Sequence, residues 1–214
     1  MLSAIISDTV LLRSQTTTQR DVKTANKLAK IAGVNLEEYG KMLLKKGTEI
    51  SDISDHDLVF QDSKEFPVGN EKIQISQINS YDTKEPLDRK EGIKKVMREF
   101  MEKNKNIVLF VFDILDIYNM DSYAIVLGPR KKAVENAYHV EIGEDDVVFL
   151  KKVASRKKQL YPDIAHHLIS IQRKEKRDQE KEKEQKLNEK SKKEEKSNDD
   201  ESTRDDNKKE EIKG

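Results

Sequence analysis

The sequence predicts an α/β fold: a mixed β-sheet flanked by helices, preceded by a helical hairpin and followed by a Lys/Glu-rich tail that is disordered or a fluctuating helix. Three observations carry this expectation. The most apolar run, Ile107-Val108-Leu109-Phe110-Val111-Phe112-Asp113-Ile114-Leu115, is dominated by β-branched and aromatic residues without alternation, the mark of a strand buried on both faces. Capped helical stripes and strand-like runs follow one another in the order α-α-α-β-β-α-β-β-α-β-α, which implies a mixed sheet covered by helices. From about Arg173 onward almost every residue is Lys, Glu, Asp, Gln, Ser or Asn, and such a segment buries too little apolar surface to offset the entropy of ordering it.

The chain opens abruptly. Ala4 to Leu12 has a polar centre between apolar flanks, as if a core element had been cut from its sheet, whereas most domains begin with frayed polar residues. Arg13 to Thr18 reads as a linker. Thr18 caps a helix over Gln19–Ala32, with Asp21 in the first turn where the helix dipole favours an acid and Gly33 at the C-terminus. Asn35 caps a second helix, Leu36–Lys46, closed by Gly47, and Ser54 caps a third, short one carrying His56 and Leu58. Phe60–Phe66 and Lys72–Asn79 form a hairpin around the Pro67-Val68-Gly69-Asn70 turn. Pro86 opens a helix over Leu87–Lys103 with Ile93, Val96, Met97, Phe100 and Met101 on one face. After the buried strand come a strand over Ser122–Leu127, a helix over Lys131–Tyr138, a strand over Val147–Val153 and a last helix begun by Pro162. In the tail, acid-to-base pairs four residues apart support a solvated helix, but no apolar stripe exists to make a coiled coil.

Composition narrows the function. With 41 basic and 41 acidic residues the formal charge is zero, so no global field points to nucleic acid and any electrostatic site is local. The absence of cysteine excludes disulfides, thiolate metal sites and a cysteine nucleophile. No apolar run approaches the roughly 20 residues that span a bilayer. A soluble cytoplasmic protein without membrane or nucleic-acid partners is the simplest expectation.

Four positions stand out as candidate site residues. Ser155-Arg156-Lys157-Lys158-Gln159 places three adjacent cations just after a strand, and Arg and Lys together suit a phosphate-bearing ligand, although a solvated basic turn has the same composition. Lys64 sits on the first hairpin arm, where a solvent-facing lysine is also usual. Asp8, the only carboxylate in the first twenty residues, is open to two readings: a cap or turn residue, or a metal ligand or base held by packed neighbours. Asp113, at the carboxyl end of its apolar run, lies where open α/β sheets place binding residues or where a turn is capped. His56 and the adjacent His166-His167 lack partners at ligand spacing.

Separated segments line up with one family. Ser3-Ala4-Ile5-Ile6-Ser7-Asp8-Thr9, Ala29 to Val34, Glu37-Glu38-Tyr39-Gly40, Lys64-Glu65-Phe66, Gln77-Ile78-Asn79, Asp113-Ile114-Leu115 and the basic pentad resemble, in order, the C-terminal half of a manganese-dependent family II inorganic pyrophosphatase of the DHH phosphoesterase superfamily. The resemblance covers roughly residues 1 to 170 and omits the tail. It implies hydrolysis of diphosphate to two orthophosphates, with Lys64, Arg156 and Lys157 as diphosphate-binding residues and Asp8 as the last metal-binding aspartate. It implies residues 1–12 as the end of an N-terminal DHH domain, 13–18 as the linker, 19–172 as the diphosphate-binding domain and 173–214 as a charged tail. No Asp-His-His motif occurs, and the linker has Ser14-Gln15-Thr16 where the family tends to have Ser-Pro-Thr. The expectation is therefore a portion inactive by itself, since one aspartate cannot hold two manganese ions. The partners that the resemblance implies are diphosphate and, in the intact enzyme, an N-terminal DHH domain or a homodimer paired through that domain. The alternatives are a non-catalytic phosphate- or polyphosphate-binding module, a protein-interaction unit, or a related exopolyphosphatase.

Overall fold

The computed structural model describes residues 1–14 and 16–210, with side chains as far as 186. It divides into two compact units, Met1–Leu168 and Ile169–Gly214. The first is built on five strands: β1 (Ser63–Val68), β2 (Glu71–Ser80), β3 (Ile107–Asp116), β4 (Asp121–Leu127) and β5 (Val147–Leu150), ordered β1-β2-β3-β4-β5. β2 and β3 are parallel and every other pair is antiparallel, so the sheet is mixed as expected.

β3 lies at the centre, and eight of its residues are buried. Its even-numbered side chains Phe110, Phe112 and Ile114 join Ile78, Ile125 and Leu127 on one face. Helices α4 (Asp55–Phe60) and α6 (Lys90–Lys103) cover that face with Leu58, Val59, Ile93 and Met97. The pleat sends the odd-numbered residues of β3 to the other face. There, helix α7 (Lys131–Tyr138) and the start of helix α8 (Tyr161–Glu210) bury Val134, Ile164 and Leu168. Gly128, at φ 117°, makes the turn from β4 towards α7, and a Cβ there would overlap the Val108 carbonyl.

The caps read from the sequence are formed. Thr18 and Asp21 make a reciprocal capping box on α2 (Gln19–Ala32), and Gly33 closes that helix at φ 66°. Asn35 Oδ1 accepts from the backbone N–H groups of Glu37 and Glu38 at the start of α3 (Leu36–Gly47), and Ser54 caps α4. Three expectations are corrected. Met1–Leu12 is not an excised strand or sheet element: Leu2–Thr9 is a helix, α1, whose fully buried Ile6 packs with Leu11, Leu44, Leu115 and Ile117. The helix expected over Leu87–Lys103 is two, α5 (Lys84–Asp88) and α6, which meet at Arg89. The Arg89 guanidinium donates to Asp55 Oδ1 (2.9 and 2.6 Å), the Ile50 carbonyl (2.9 Å) and the Ile53 carbonyl (2.7 Å). These charge-assisted bonds outweigh continuity of the backbone ladder, in which one bond contributes about 1 kcal/mol net. The last strand stops at Leu150 instead of Val153, because Lys152 turns at φ 58° and is held there by Asp121 Oδ1 on its N–H (2.8 Å).

The second unit consists of the Lys/Glu tract, helical to Glu210. Its described side chains are exposed except for half-buried Gln172 and Ile171. No helix among the described residues is long and apolar enough to cross a membrane.

Candidate functional site

The basic pentad is a single π-helical turn, Arg156–Leu160, capped by Ser155. The Ser155 hydroxyl accepts from Lys158 N–H (3.2 Å). Gln159 closes the turn from the other side: its Oε1 accepts from the Ala154 and Ser155 N–H groups (2.9 and 3.1 Å), and its Nε2 donates to the Lys152 carbonyl (3.0 Å). Ser155 and Gln159 thus satisfy the orphan backbone groups of a turn too short to satisfy its own. The three cations between them are sorted by the turn: Arg156 points inward and is buried, whereas Lys157 and Lys158 are exposed.

Arg156 reaches the β1–β2 hairpin. Its Nη1 donates to the Asp62 carbonyl (2.7 Å) and, at the limit of hydrogen-bond distance, to the Ile75 carbonyl (3.5 Å), while Nη2 donates to Asp62 Oδ1 (2.7 Å). The Arg156 side chain is 7% exposed and that of Asp62 51% exposed. Ile75 is the register partner of Lys64, so the hairpin brings Lys64 to the same neighbourhood from a distant part of the sequence. Lys64 is exposed, and no hydrogen bond or ion pair engages the side chain of Lys64 or Lys157 among the described residues.

Beneath this layer lies Asp113, fully buried in the interior of β3 and not at its carboxyl end as the apolar run suggested. Gln77, its partner across β2–β3, donates to Oδ2 (2.7 Å). The Ser122 hydroxyl also faces Asp113 but donates to the Val153 carbonyl (2.8 Å), which leaves Asp113 Oδ1 without a partner. Burial pushes the Asp113 carboxyl up to about 6, against the opposing pull of the nearby Ser122 hydroxyl, the Gln77 bond and the Arg156 charge. Arg156 Nε is also buried and unpartnered. Tyr138, on α7, is raised above the ordinary phenol range by burial first and by Asp163 second.

A cleft of about 830 Å³ opens beside Asp62, between α1, α3 and the carboxyl end of β2. Ser7, Thr48, Gln61, Asp62, Gln77 and Asn79 line it in part. The cleft therefore gathers residues of the Ser3–Thr9 and Gln77–Asn79 segments beside Asp62, the residue that holds Arg156. Asp8 is exposed near the end of α1 and is not part of the cleft wall. The turn after it is strained: Val10, Leu11 and Leu12 all have positive φ (47°, 53° and 64°), at roughly 1–2 kcal/mol each. Thr9 holds this turn, accepting at Oγ1 from Leu12 N–H (3.0 Å) and at its carbonyl from Arg13 and Ser14 N–H groups (both 2.9 Å). Leu11 packs where α3 has Gly40, and Ser3 Oγ meets Tyr39 Oη at 2.8 Å, so the first and third of the resembling segments interlock.

Sequence reasoning missed Asp62 and the roles of Ser155 and Gln159. The Ser-to-Gln bracket around the cations is one residue wider than a capping box, and Ser155 ahead of the cations was the available signal, as an N-cap residue. Asp62 carried none, since its partner lies 94 residues away.

Comparison with known proteins places this geometry in a family. Residues 41–166 match the DHHA2 domain, and the chain belongs to the DHHA2-domain family. A protein of Brevibacillus brevis assigned as a manganese-dependent inorganic pyrophosphatase is 48% identical over 162 residues, covering 76% of this chain and 52% of its own length. One of Oceanobacillus iheyensis with the same assignment is 42% identical over 160 residues, covering 75% and 52%. The crystal structure of a Methanococcus jannaschii protein assigned to the family II inorganic pyrophosphatases superposes with a TM-score of 0.59 at 40% identity, over 78% of this chain and 53% of that one. The chain thus spans about half the length of the curated relatives it matches.

Proposed function

We propose that this chain is the diphosphate-binding portion of a manganese-dependent inorganic pyrophosphatase, which hydrolyses diphosphate to two orthophosphates. The observation that carries the reading is the convergence of Arg156 and the Lys64 strand on one hairpin, with Lys157 exposed on the adjoining turn. Phosphoryl transfer from an anhydride places charge on the transferred and leaving oxygens, and cations fixed outside the reacting centre neutralise it. Lys64 and Lys157 would bind and orient the substrate, and Arg156 would supply a fixed positive charge and a charge-assisted donor to a phosphate oxygen.

Manganese supplies a nucleophilic water by lowering its pKa when bound in such enzymes. This chain's residues do not form a complete site for it. Asp8 offers one exposed carboxylate, and among the described residues no three His, Cys, Asp or Glu side chains converge as a metal site. Asp8 would complete a ligand set supplied by an N-terminal DHH domain. The chain alone is expected to be inactive.

The test is phosphate release from diphosphate with manganese, measured on this chain and on the chain extended upstream in its own reading frame. Turnover by the extended form only supports the reading. Robust turnover by this chain alone overturns its incompleteness. Turnover by neither favours the non-catalytic anion-binding alternative, for which the exposed Lys64 and Lys157 are equally suited.

A further inference from the structure

Arg156 raises a problem that the diphosphate reading does not answer. A guanidinium that binds substrate must present N–H groups to it, yet this one is 7% exposed, and both terminal nitrogens are engaged on Asp62. Asp62 touches Arg156 in two chemically different ways. The carbonyl bond from Nη1 is part of the framework, since Gln77 N–H donates to the same carbonyl (3.0 Å) at the start of the hairpin. The carboxylate bond from Nη2 comes from a side chain that is half in water and borders the cleft.

Carboxylate and phosphate oxygens are interchangeable acceptors for a guanidinium fork. We infer that the Asp62 carboxylate is a resident competitor for Arg156: it occupies the Nη2 donor that diphosphate uses, and substrate binds by displacing it. The inference rests on the diphosphate reading above and names Asp62 as the residue that sets affinity at that site. Three features make displacement feasible. Asp62 rehydrates readily because it is half exposed. Arg156 keeps its framework bonds to the Asp62 and Ile75 carbonyls. The buried Asp113, close enough for the Arg156 charge to act on it, keeps that cation compensated from behind. While Asp62 holds Arg156, the apparent affinity for diphosphate is lowered by the fraction of molecules in which the donor is free.

The experiment is calorimetric titration of inorganic diphosphate into the full chain and its D62N, R156A and D62N/R156A variants. Asp62→Asn keeps the backbone carbonyl and removes the charge. The expected result is about tenfold tighter binding by D62N, as a resident competitor that is mostly bound would give, and loss of that gain in the double variant. Equal or weaker binding by folded D62N overturns the inference and makes Asp62 an anchor for the turn. If R156A binds diphosphate as well as the parent chain, or if neither the parent nor D62N binds it, the diphosphate reading itself fails. Weakening by R156A without strengthening by D62N overturns the inference alone. Should D62N not fold, crystals of the parent chain with diphosphate decide: Arg156 Nη2 on a phosphate oxygen with Asp62 released supports the displacement, and an intact Arg156–Asp62 pair beside bound diphosphate refutes it.

Discussion

Two buried charges sit beside the same sheet with opposite arrangements. Near β4 and β5, the Asp146 carboxylate is surrounded by cations: Lys131 on Oδ1, and Lys94 (3.2 Å) and Arg98 (3.6 Å) on Oδ2. Lys94, itself buried, is shared further with Glu91 (2.9 Å) and the Asp145 carbonyl (3.2 Å). Over β1 and β2, the Arg156 cation has one half-exposed carboxylate in front and one buried carboxylate behind. Burial pushes the Asp146 carboxyl up, but the Lys131 and Lys94 bonds more than offset this and hold it below the ordinary aspartate range. Asp113 goes the other way, because burial is not matched by enough partners. The first arrangement is saturated. The second leaves Asp113 Oδ1 and Arg156 Nε unsatisfied, an expense a purely structural ion pair avoids. The contrast separates a charge cluster that holds the fold from one with unused donor capacity.

The sharpest way to break the comparison is Asp146→Ala. It removes the carboxylate shared by Lys131, Lys94 and Arg98 and leaves the buried Lys94 on Glu91 and the Asp145 carbonyl alone, and stability measured by urea unfolding is expected to fall by about 2–3 kcal/mol, the loss of charge-assisted bonds in a part-buried cluster. A loss under 1 kcal/mol would mean that the cluster is no more structural than an exposed pair.

Asp113→Asn comes next, and its signature is in the pH profile. The folded value of about 6 exceeds the unfolded value near 4, so the folded state holds its proton while the unfolded state releases it. The stability this gives is fully present below about pH 4 and is lost as pH rises through 6, by about 2–3 kcal/mol. Asn removes the titration, so the variant's profile should be flatter between pH 4 and 7. Parallel profiles for variant and parent would show that Asp113 does not titrate in that window.

Arg156→Lys is smaller in stability and larger in function. A lysine cannot reproduce the fork onto the Asp62 carbonyl and carboxylate, so about 1–2 kcal/mol of stability and most of the diphosphate affinity should go together. Retained affinity with lost stability would place Arg156 with Asp146 as a structural charge. Lys64→Ala and Lys157→Ala should leave the unfolding midpoint unchanged, since both side chains are exposed and make no hydrogen bond or ion pair among the described residues, while weakening diphosphate binding severalfold. A shifted midpoint with unchanged binding would reverse the roles assigned to them.

Much of the fold was legible because its causes are local. The Thr18, Asn35 and Ser54 caps act on N–H groups two or three residues away, and each was identified from its own neighbourhood. The central position of β3 follows from the composition of Ile107–Leu115 alone. The failures share one origin. Arg89 breaks its helix for acceptors 34 to 39 residues away, in the loop before α4 and at its first residue, which local propensity cannot report. The hydrophobic pattern of Met1–Leu12 fits a buried element of either kind, and packing against α2 and α3 made it a helix. In the site, the pentad was visible as a cluster of cations, but nothing in its composition says which of the three turns inward.

The sequence by itself determined the class of fold, the caps, the central strand and the presence of a local cationic turn in a chain of zero net charge, because these follow from periodicity and composition. Only the tertiary structure decided that Arg156 is buried on Asp62, that Lys64 faces the same hairpin, and that Asp113 lies beneath them on the adjacent strand without a full set of partners. The Gln77–Asp113 and Asp62–Arg156 contacts join residues 36 and 94 positions apart. Their energies depend on burial and geometry, and neither exists until the sheet has brought the segments together.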